Sequence, residues 1–168
     1  SQAYLEALND NGGELPVAIE VAAGDTNMVL YSNHTVKSAG SNTNGALGAN
    51  VDGGALPMRY VADYVLAGES DSNAPGNIIS RIMNISSNGF DDTMLAYDNR
   101  HGTVYTWGSN EDGQGGDGTY ISRRQPTKVL ENGGGSYLDV SNVFWTSAYY
   151  GYPGIATTVE YDTILHSD

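Results

Sequence analysis

The sequence predicts an all-β fold, and three observations lead to that prediction. Short runs of β-branched and aromatic residues are separated by turns of Gly, Asn, Asp and Ser along the 168 residues. Glycine occurs 22 times, which is about twice its usual share. The one stretch with helical spacing, residues 4–8, ends in Asn, Asp and Gly and is too short for a stable helix.

Three runs show the strand pattern in chain order. Val17, Ile19 and Val21 alternate with small or polar residues, which is the period of a half-buried strand. Residues 103–107 are aromatic and β-branched and lie between two glycines. Residues 155–161 follow a Pro-Gly pair and are of the same kind. Each of these runs is therefore predicted to be a strand.

The chain repeats itself with an offset of 68 residues, as from Gly40 to Gly108. Such internal repetition is typical of an array of similar supersecondary units. Pro57 and Pro126 each precede a short apolar run, as expected where an edge strand begins. The positions that recur at this offset are Gly40, Asn42, Gly45 and Gly48 in the first copy and Gly108, Asn110, Gly113 and Gly116 in the second.

Residues 102–119, followed by residues 124–129, resemble a repeat of the regulator of chromosome condensation (RCC1) family. Residues 17–61 resemble another copy. The resemblance implies a β-propeller of four-stranded blades with about seven blades in the full ring. It also implies that Tyr105 and Trp107 fill the space between blades.

The first copy departs from the second at these aromatic positions. Ser38 and Ala39 stand where Tyr105 and Trp107 are seen in the second copy.

The repeats divide the chain into about two and three-quarter four-stranded blades, an incomplete ring. The partial last repeat is expected to supply two strands. Open blades leave unpaired strand edges, so association through these edges is possible. The predicted parts are the end of a preceding blade (1–16), a first blade-like repeat (17–66), an inserted loop (67–77), a second blade-like repeat (78–130) and a partial third repeat (131–168).

The composition excludes several classes of partner. The chain carries 7 Lys and Arg against 20 Asp and Glu, a net charge of −13, so it would repel a nucleic-acid backbone. No apolar run approaches the roughly 18 residues that a membrane helix needs, so no membrane insertion is expected. The chain has no cysteine. Its acidity and its richness in Asn, Gly, Tyr and Ser resemble bacterial secreted or surface proteins with such repeats, and we expect an extracellular or cell-surface location.

No sequence motif for catalysis is present, and the adjacent carboxylates Asp91 and Asp92 have no identifiable partner. We therefore expect no enzymatic activity, no catalytic residue and no cofactor. The Asp-rich turn 110–118 could bind calcium. Its counterpart, residues 42–48, has no carboxylate, so a structural turn is the favoured interpretation.

The three histidines are also expected to be structural. His34, His101 and His166 each precede the third strand of a repeat. Equivalent positions in different blades point outward at separate places, so no shared metal site is predicted.

The strongest candidate for binding is an aromatic cluster made of Trp145, Tyr149, Tyr150 and Tyr152. These residues are expected in the loop between the first two strands of the third blade. Tyr and Trp provide large contact areas at low entropic cost and dominate many protein interfaces. Packing between blades is the alternative.

The sequence therefore favours a non-enzymatic protein-recognition module of RCC1-like repeats, a segment of a larger secreted or cell-surface protein. Its protein partner is not identified. The first alternative is a structural or adhesive subunit of a fibre or surface assembly. The second alternative is guanine-nucleotide exchange on a small GTPase, which the resemblance implies because it is the family's name-giving activity. No position of the matched repeat motif corresponds to a catalytic residue for this exchange.

Overall fold

The computed structural model describes residues 15–50, 53–68, 78–87, 92–98, 100–131, 136 and 138, and the backbone of residues 143–149, 152–158 and 163–165. Several predictions concern residues outside these ranges. They include the end of the preceding blade at residues 1–14, most of the inserted loop 67–77, Asp91, Tyr150 and His166.

The described residues form three antiparallel sheets, so the predicted all-β fold with four-stranded blades is confirmed. Among these residues no helix is long and apolar enough to cross a membrane. The first blade contains β1 (Ala18–Ala22), β2 (Thr26–Tyr31), β3 (Val36–Ser41) and β4 (Met58–Tyr64), with a 3-10 turn at Thr43–Gly45. The second blade contains β5 (Ile82–Ser87), β6 (Thr93–Asp98), β7 (Thr103–Gly108) and β8 (Arg123–Lys128).

The third sheet has three strands, one more than the sequence predicts. They are β9 (Val143–Tyr149), β10 (Tyr152–Thr158) and β11 (Thr163–Leu165), in the order β11-β10-β9. The extra strand β11 is only three residues long and has no glycine beside it. A short strand of this kind is defined by its pairing with β10, which a local pattern does not reveal.

The repeated asparagines organise the loop after the third strand of each blade. The Oδ1 atom of Asn110 accepts a hydrogen bond from the Gly115 amide at 2.6 Å, and Asn42 accepts one from the Leu47 amide at 3.1 Å. Both asparagines are fully buried or nearly so. Because the side chain replaces a backbone partner, the loop can fold tightly with its amides satisfied.

The repeated glycines Gly40 and Gly108 allow a sharp change of direction at the end of the third strand. Their φ angles are 113° and 88°, a region that disfavours residues with a Cβ atom. A Cβ atom would also collide with the backbone carbonyl of Asp25 in the first blade and of Asp92 in the second.

The first two blades pack face to face through one hydrophobic core. The opposite face of the second blade carries its own buried cluster of Leu95, Tyr97 and Val104, and β9 packs against β5 and β6. The core between the first two blades contains Met28, Leu30, Val36, Ala46, Val65, Ile79, Ile82, Ile85, Met94, Ala96, Tyr105 and Trp107.

Trp107 links the two blades by a hydrogen bond as well as by packing. Its indole Nε1 atom donates to the Ala46 carbonyl oxygen at 2.9 Å, and the side chain is 1% exposed. Gly48 allows this approach, because a Cβ atom there would lie 3.0 Å from the same Nε1 atom. Gln125 makes a second link by donating to the Ala67 carbonyl oxygen at 3.0 Å.

Glu20 spans the same interface from the edge strand β1. Its Oε2 atom accepts a hydrogen bond from the Ile85 amide at 3.2 Å. Burial raises the pKa of Glu20, and the hydrogen bond from Ile85 only partly opposes that effect. The charged carboxylate is therefore less favourable in the folded chain than in water.

We predict that Trp107→Phe destabilises the fold by about 1–3 kcal/mol, because it leaves the buried Ala46 carbonyl without a donor. The measurement is urea unfolding followed by far-UV circular dichroism. Tyr120→Phe is the matched control, since Tyr120 is 74% exposed. Equal stability of the two variants would contradict the assigned role of Trp107.

We predict that Glu20→Gln raises the melting temperature at pH 7, because glutamine keeps an acceptor for Ile85 without a charge. The pKa of Glu20 is higher in the folded chain than its ordinary value of 4.5. Its contribution to folding stability is therefore fully present below pH 4.5 and is lost as the pH rises through the folded pKa. The gain should therefore vanish in acid. A gain that is constant with pH would refute this explanation.

Candidate protein-interaction face

The first blade has one face that no other described sheet covers. A row of side chains crosses it through the register pairs Val21–Val29, Val29–Lys37 and Lys37–Tyr64. The equivalent row of the second blade runs through Ile85, Ala96, Tyr105 and Lys128. We call the face of the first blade that contains Val21, Val29, Tyr31, Lys37, Ala39 and Tyr64 the open face.

The two rows differ sharply in burial. Ile85 of the second blade is 3% exposed, whereas its counterpart Val21 is 64% exposed. Tyr105 is also 3% exposed, whereas its counterpart Lys37 is only partly buried. Three positions that are buried between the first two blades, those of Ile85, Ala96 and Tyr105, are thus exposed or only partly buried on the outer side of the first blade.

The same contrast continues in the irregular stretch of the fourth strand. Gly40 pairs with Arg59, and its counterpart Gly108 pairs with Arg123. Because Val61 lies two residues after Arg59 and Gln125 lies two residues after Arg123, Val61 is the counterpart of Gln125. Val61 is 78% exposed, whereas Gln125 is 7% exposed.

Tyr60 precedes Val61 and is 88% exposed. Its counterpart in the second blade is Arg124, which lies against Gly45 of the first blade. The pair of Tyr60 and Val61 therefore extends the open face along β4.

The pairing corrects two predictions made from the sequence. Lys37, not Ser38, is the counterpart of Tyr105, and Ser38 instead donates to the Leu47 carbonyl oxygen at 2.7 Å on the covered side. The run of Val17, Ile19 and Val21, expected to be a half-buried strand, forms β1 from Ala18 onward, but a register shift between Ala18 and Glu20 interrupts its alternation. The side chains of all three residues are exposed. The 68-residue offset that relates Gly40 to Gly108 also relates Lys37 to Tyr105, so the sequence itself contains the correct correspondence.

Lys37 is the cation at the centre of the open face. Its Nζ atom lies 4.5 Å from the ring centroid of Tyr64 and 5.6 Å from that of Tyr31, within the range of cation–π attraction. The ion pairs of the described residues involve Arg59, Arg81, His101 and Arg123 as the cations. Within that part of the chain, Lys37 therefore has aromatic neighbours but no carboxylate partner.

The structure places the predicted aromatic cluster mainly in strands and not in a loop. Trp145 and Tyr149 lie in β9, and Tyr152 lies in β10 opposite Tyr149. Tyr150 and the side chains of the other three lie outside the described residues. A binding role for this cluster stays a prediction.

The Asp-rich turn uses its buried carboxylate to hold the turn together. Asp117 accepts hydrogen bonds from Asn110 Nδ2 at 3.1 Å and from the Thr119 hydroxyl at 2.7 Å, and it pairs with Arg123 Nε at 2.6 Å. Burial alone would raise the pKa of Asp117, but the bonds from Thr119 and Arg123 outweigh it and lower the pKa below 3.8. These contacts favour the structural-turn interpretation.

The described histidines lie at separate hairpins. His34 Nδ1 is 3.1 Å from the Ile82 carbonyl oxygen and joins the two blades. His101 Nδ1 is 3.1 Å from Asp98 Oδ2, a buried carboxylate that also pairs with Arg81. Among the described residues, no three groups able to bind a metal ion come together.

A polar groove runs along the seam between the first two blades. It has a volume of about 450 Å³, and Thr43, Gly45, Pro57, Ser122 and Arg124 lie in its walls. The hydroxyls and backbone groups that line the groove provide no pair of a nucleophile and a base.

Comparison with known proteins agrees with the repeated motif. Residues 101–144 match the model of the regulator of chromosome condensation (RCC1) repeat. The match begins in the turn before β7 and ends in β9, so it extends from the second blade into the third sheet. No curated protein sequence matches the chain.

Two solved structures show the same fold. Human WBSCR16 has a TM-score of 0.62 at 20% identity, over 88% of this chain and 33% of that one. Yeast RCC1 (Prp20), in its complex with Kap60, has a TM-score of 0.59 at 15% identity, over 86% of this chain and 28% of that one. The chain thus spans about a third or less of the length of these structures.

The face-to-face packing of four-stranded antiparallel sheets defines the blades of a β-propeller. The repeat match and the structural likeness identify the described sheets as RCC1-like propeller blades.

We predict that Asp117→Asn destabilises the chain at pH 7 by about 1–3 kcal/mol, because the amide loses the ionic bond to Arg123. The contribution of the Asp117 carboxylate to folding stability is present above its ordinary pKa of 3.8 and is lost as the pH falls through its lowered pKa in the folded chain. Thermal unfolding between pH 2 and pH 7 should therefore show the difference shrinking in acid. A difference that stays constant would rule out this origin.

Proposed function

We propose that the chain is a non-enzymatic protein-recognition module of RCC1-like blades. The observation that carries the proposal is the exposed open face, whose counterparts on the second blade are buried against protein. Exposed apolar patches of this kind are typical of surfaces that contact other proteins. The named neighbour, yeast RCC1, is bound to a protein, Kap60, in its crystal structure.

The open face favours a protein as the occupant over a small molecule or a nucleic acid. It is a flat sheet surface with large apolar and aromatic side chains, whereas small-molecule sites are concave. The net charge of −13 opposes binding to a phosphate backbone. The proposal includes the secreted or cell-surface location, which rests on the composition of the chain, and the absence of catalysis.

An assembly role is the second candidate, and the same exposed face favours it. Two copies could cover the apolar surface of each other and form a fibre or surface layer. Concentration distinguishes the two functions. A recognition module stays monomeric at micromolar concentration and binds a different protein, whereas an assembly subunit associates with itself in sedimentation experiments. No structural observation favours guanine-nucleotide exchange.

The test begins by capturing the partner with the intact chain, identifying it, and titrating the purified partner. We predict that Tyr60→Ser combined with Val61→Ser weakens binding about tenfold or more, as expected when two large exposed apolar contacts are lost. Tyr120→Ser combined with Ile121→Ser is the matched control, because these residues are 74% and 62% exposed but lie in the loop before β8.

Unchanged affinity of the Tyr60/Val61 variant would show that the open face does not bind this partner. Equal losses in both double variants would indicate a nonspecific effect of surface polarity and would also contradict the proposal.

A further inference from the structure

We propose that the Arg59 guanidinium binds a carboxylate group supplied from outside the chain, at the position that the Asp117 carboxylate has in the second blade. This site is separate from the open face and does not depend on the proposed function. The inference comes from a comparison of the two complete blades. The second blade neutralises its arginine with a carboxylate of the same blade, whereas the first blade has no carboxylate at that position.

Arg59 and Arg123 are equivalent residues of the two blades. Arg59 pairs with Gly40 at the end of β3, and Arg123 pairs with Gly108 at the end of β7. The Arg123 Nε atom donates to Asp117 Oδ2 at 2.6 Å. In the second blade, the guanidinium at this place is therefore held by a carboxylate of the loop that precedes it.

The loops that precede the two arginines have closely similar backbones. The φ angle is 64° at Gly48 and 63° at Gly116. The amides of these glycines donate to a carbonyl three residues earlier, at 2.9 Å and 3.0 Å, and their carbonyls each accept a hydrogen bond from a leucine amide after the fourth strand, at 2.9 Å and 2.8 Å. Ala49 follows Gly48 as Asp117 follows Gly116. The first loop therefore has a methyl group where the second has a carboxylate.

The Arg59 side chain has an unsatisfied donor as a result. Its Nη1 atom is buried and has no hydrogen-bond partner among the described residues. Its Nη2 atom lies 4.0 Å from Asp63 Oδ2, and the Asp63 side chain is 67% exposed, so this long contact contributes little. A buried guanidinium nitrogen without an acceptor is unfavourable, and a charge-assisted hydrogen bond to an anion removes that cost. The Arg59 side chain is 17% exposed, so a ligand can reach its outer edge.

A carboxylate fits this site better than other anions. Its two oxygens in one plane match the planar donors of a guanidinium, and it is the group that Asp117 supplies to Arg123 in the second blade. The net charge of −13 repels a multiply charged anion more strongly than a singly charged one. Either a free organic acid or an acidic side chain of another protein can supply the carboxylate.

Thermal unfolding of the full chain in sodium formate tests the site, with sodium chloride at the same ionic strength as the reference. We expect formate to raise the melting temperature by about 3–6 °C at roughly ten times its dissociation constant. Arg59→Met should abolish this response. Arg100→Met is the matched control, because it removes the charge of an exposed arginine in the hairpin before β7, and it should keep the response.

A carboxylate placed within the chain tests the site independently. Ala49→Asp should have a higher melting temperature than Ala49→Asn and should no longer respond to formate, because it recreates in the first blade the ion pair of Asp117 with Arg123. In a chain that also carries Arg59→Met, the two Ala49 variants should be equally stable, since the partner of the new carboxylate is gone.

A blocked Gly-Asp-Gly peptide and its Gly-Asn-Gly analogue distinguish the two sources of the carboxylate. Stabilisation by the Asp peptide alone, lost in Arg59→Met, would support the site and assign it to an acidic side chain of another protein. A response to formate without a response to the Asp peptide would support the site and assign it to a free acid. An equal formate response with and without Arg59→Met, or no formate response in the unsubstituted chain, would overturn the proposal. These readouts leave the open face unchanged, so the proposed function stands or fails separately.

Discussion

Face-to-face packing of four-stranded sheets is the constraint on which the structure depends. A blade has two apolar faces, and each must be covered because neither a single sheet nor its edges are stable alone in water. The second blade meets this requirement on both sides, with Trp107 and Tyr105 toward the first blade and Leu95 and Tyr97 on the opposite side. The first blade meets it on one side within the described residues. Its open face is therefore the sheet surface that the described blades leave uncovered.

Loop organisation supports this packing and repeats closely between the two complete blades. The buried asparagines Asn42 and Asn110 fold each loop with one side-chain oxygen. The charged groups around the second loop strengthen the turn, as Asp117 does through Arg123. The loops are thus rigid supports, and Trp107 reaches the preceding loop because that loop is held in place.

The sequence was sufficient to predict the fold class, because glycine and asparagine mark local backbone geometry. It was insufficient for the orientation of the strands, because an alternating pattern neither reveals the register shift within β1 nor shows which face of the sheet is covered. Ser38 was placed at the position of Tyr105, one residue away from its true counterpart Lys37, although the 68-residue offset itself leads to Lys37. Register depends on cross-strand pairing, and a shift of one residue moves a side chain to the opposite face. The open face became evident only by comparison of equivalent rows in two blades.

The most direct test of the account is site-specific photo-crosslinking of the native full chain. A benzophenone amino acid is placed at Tyr60 on the open face or at Tyr120, an equally aromatic and exposed position elsewhere. In the presence of its protein partner, we expect efficient adducts at Tyr60 with a defined peptide of that partner and few at Tyr120. Equal and sparse adducts at both positions would show that the open face contacts no protein and would contradict the account.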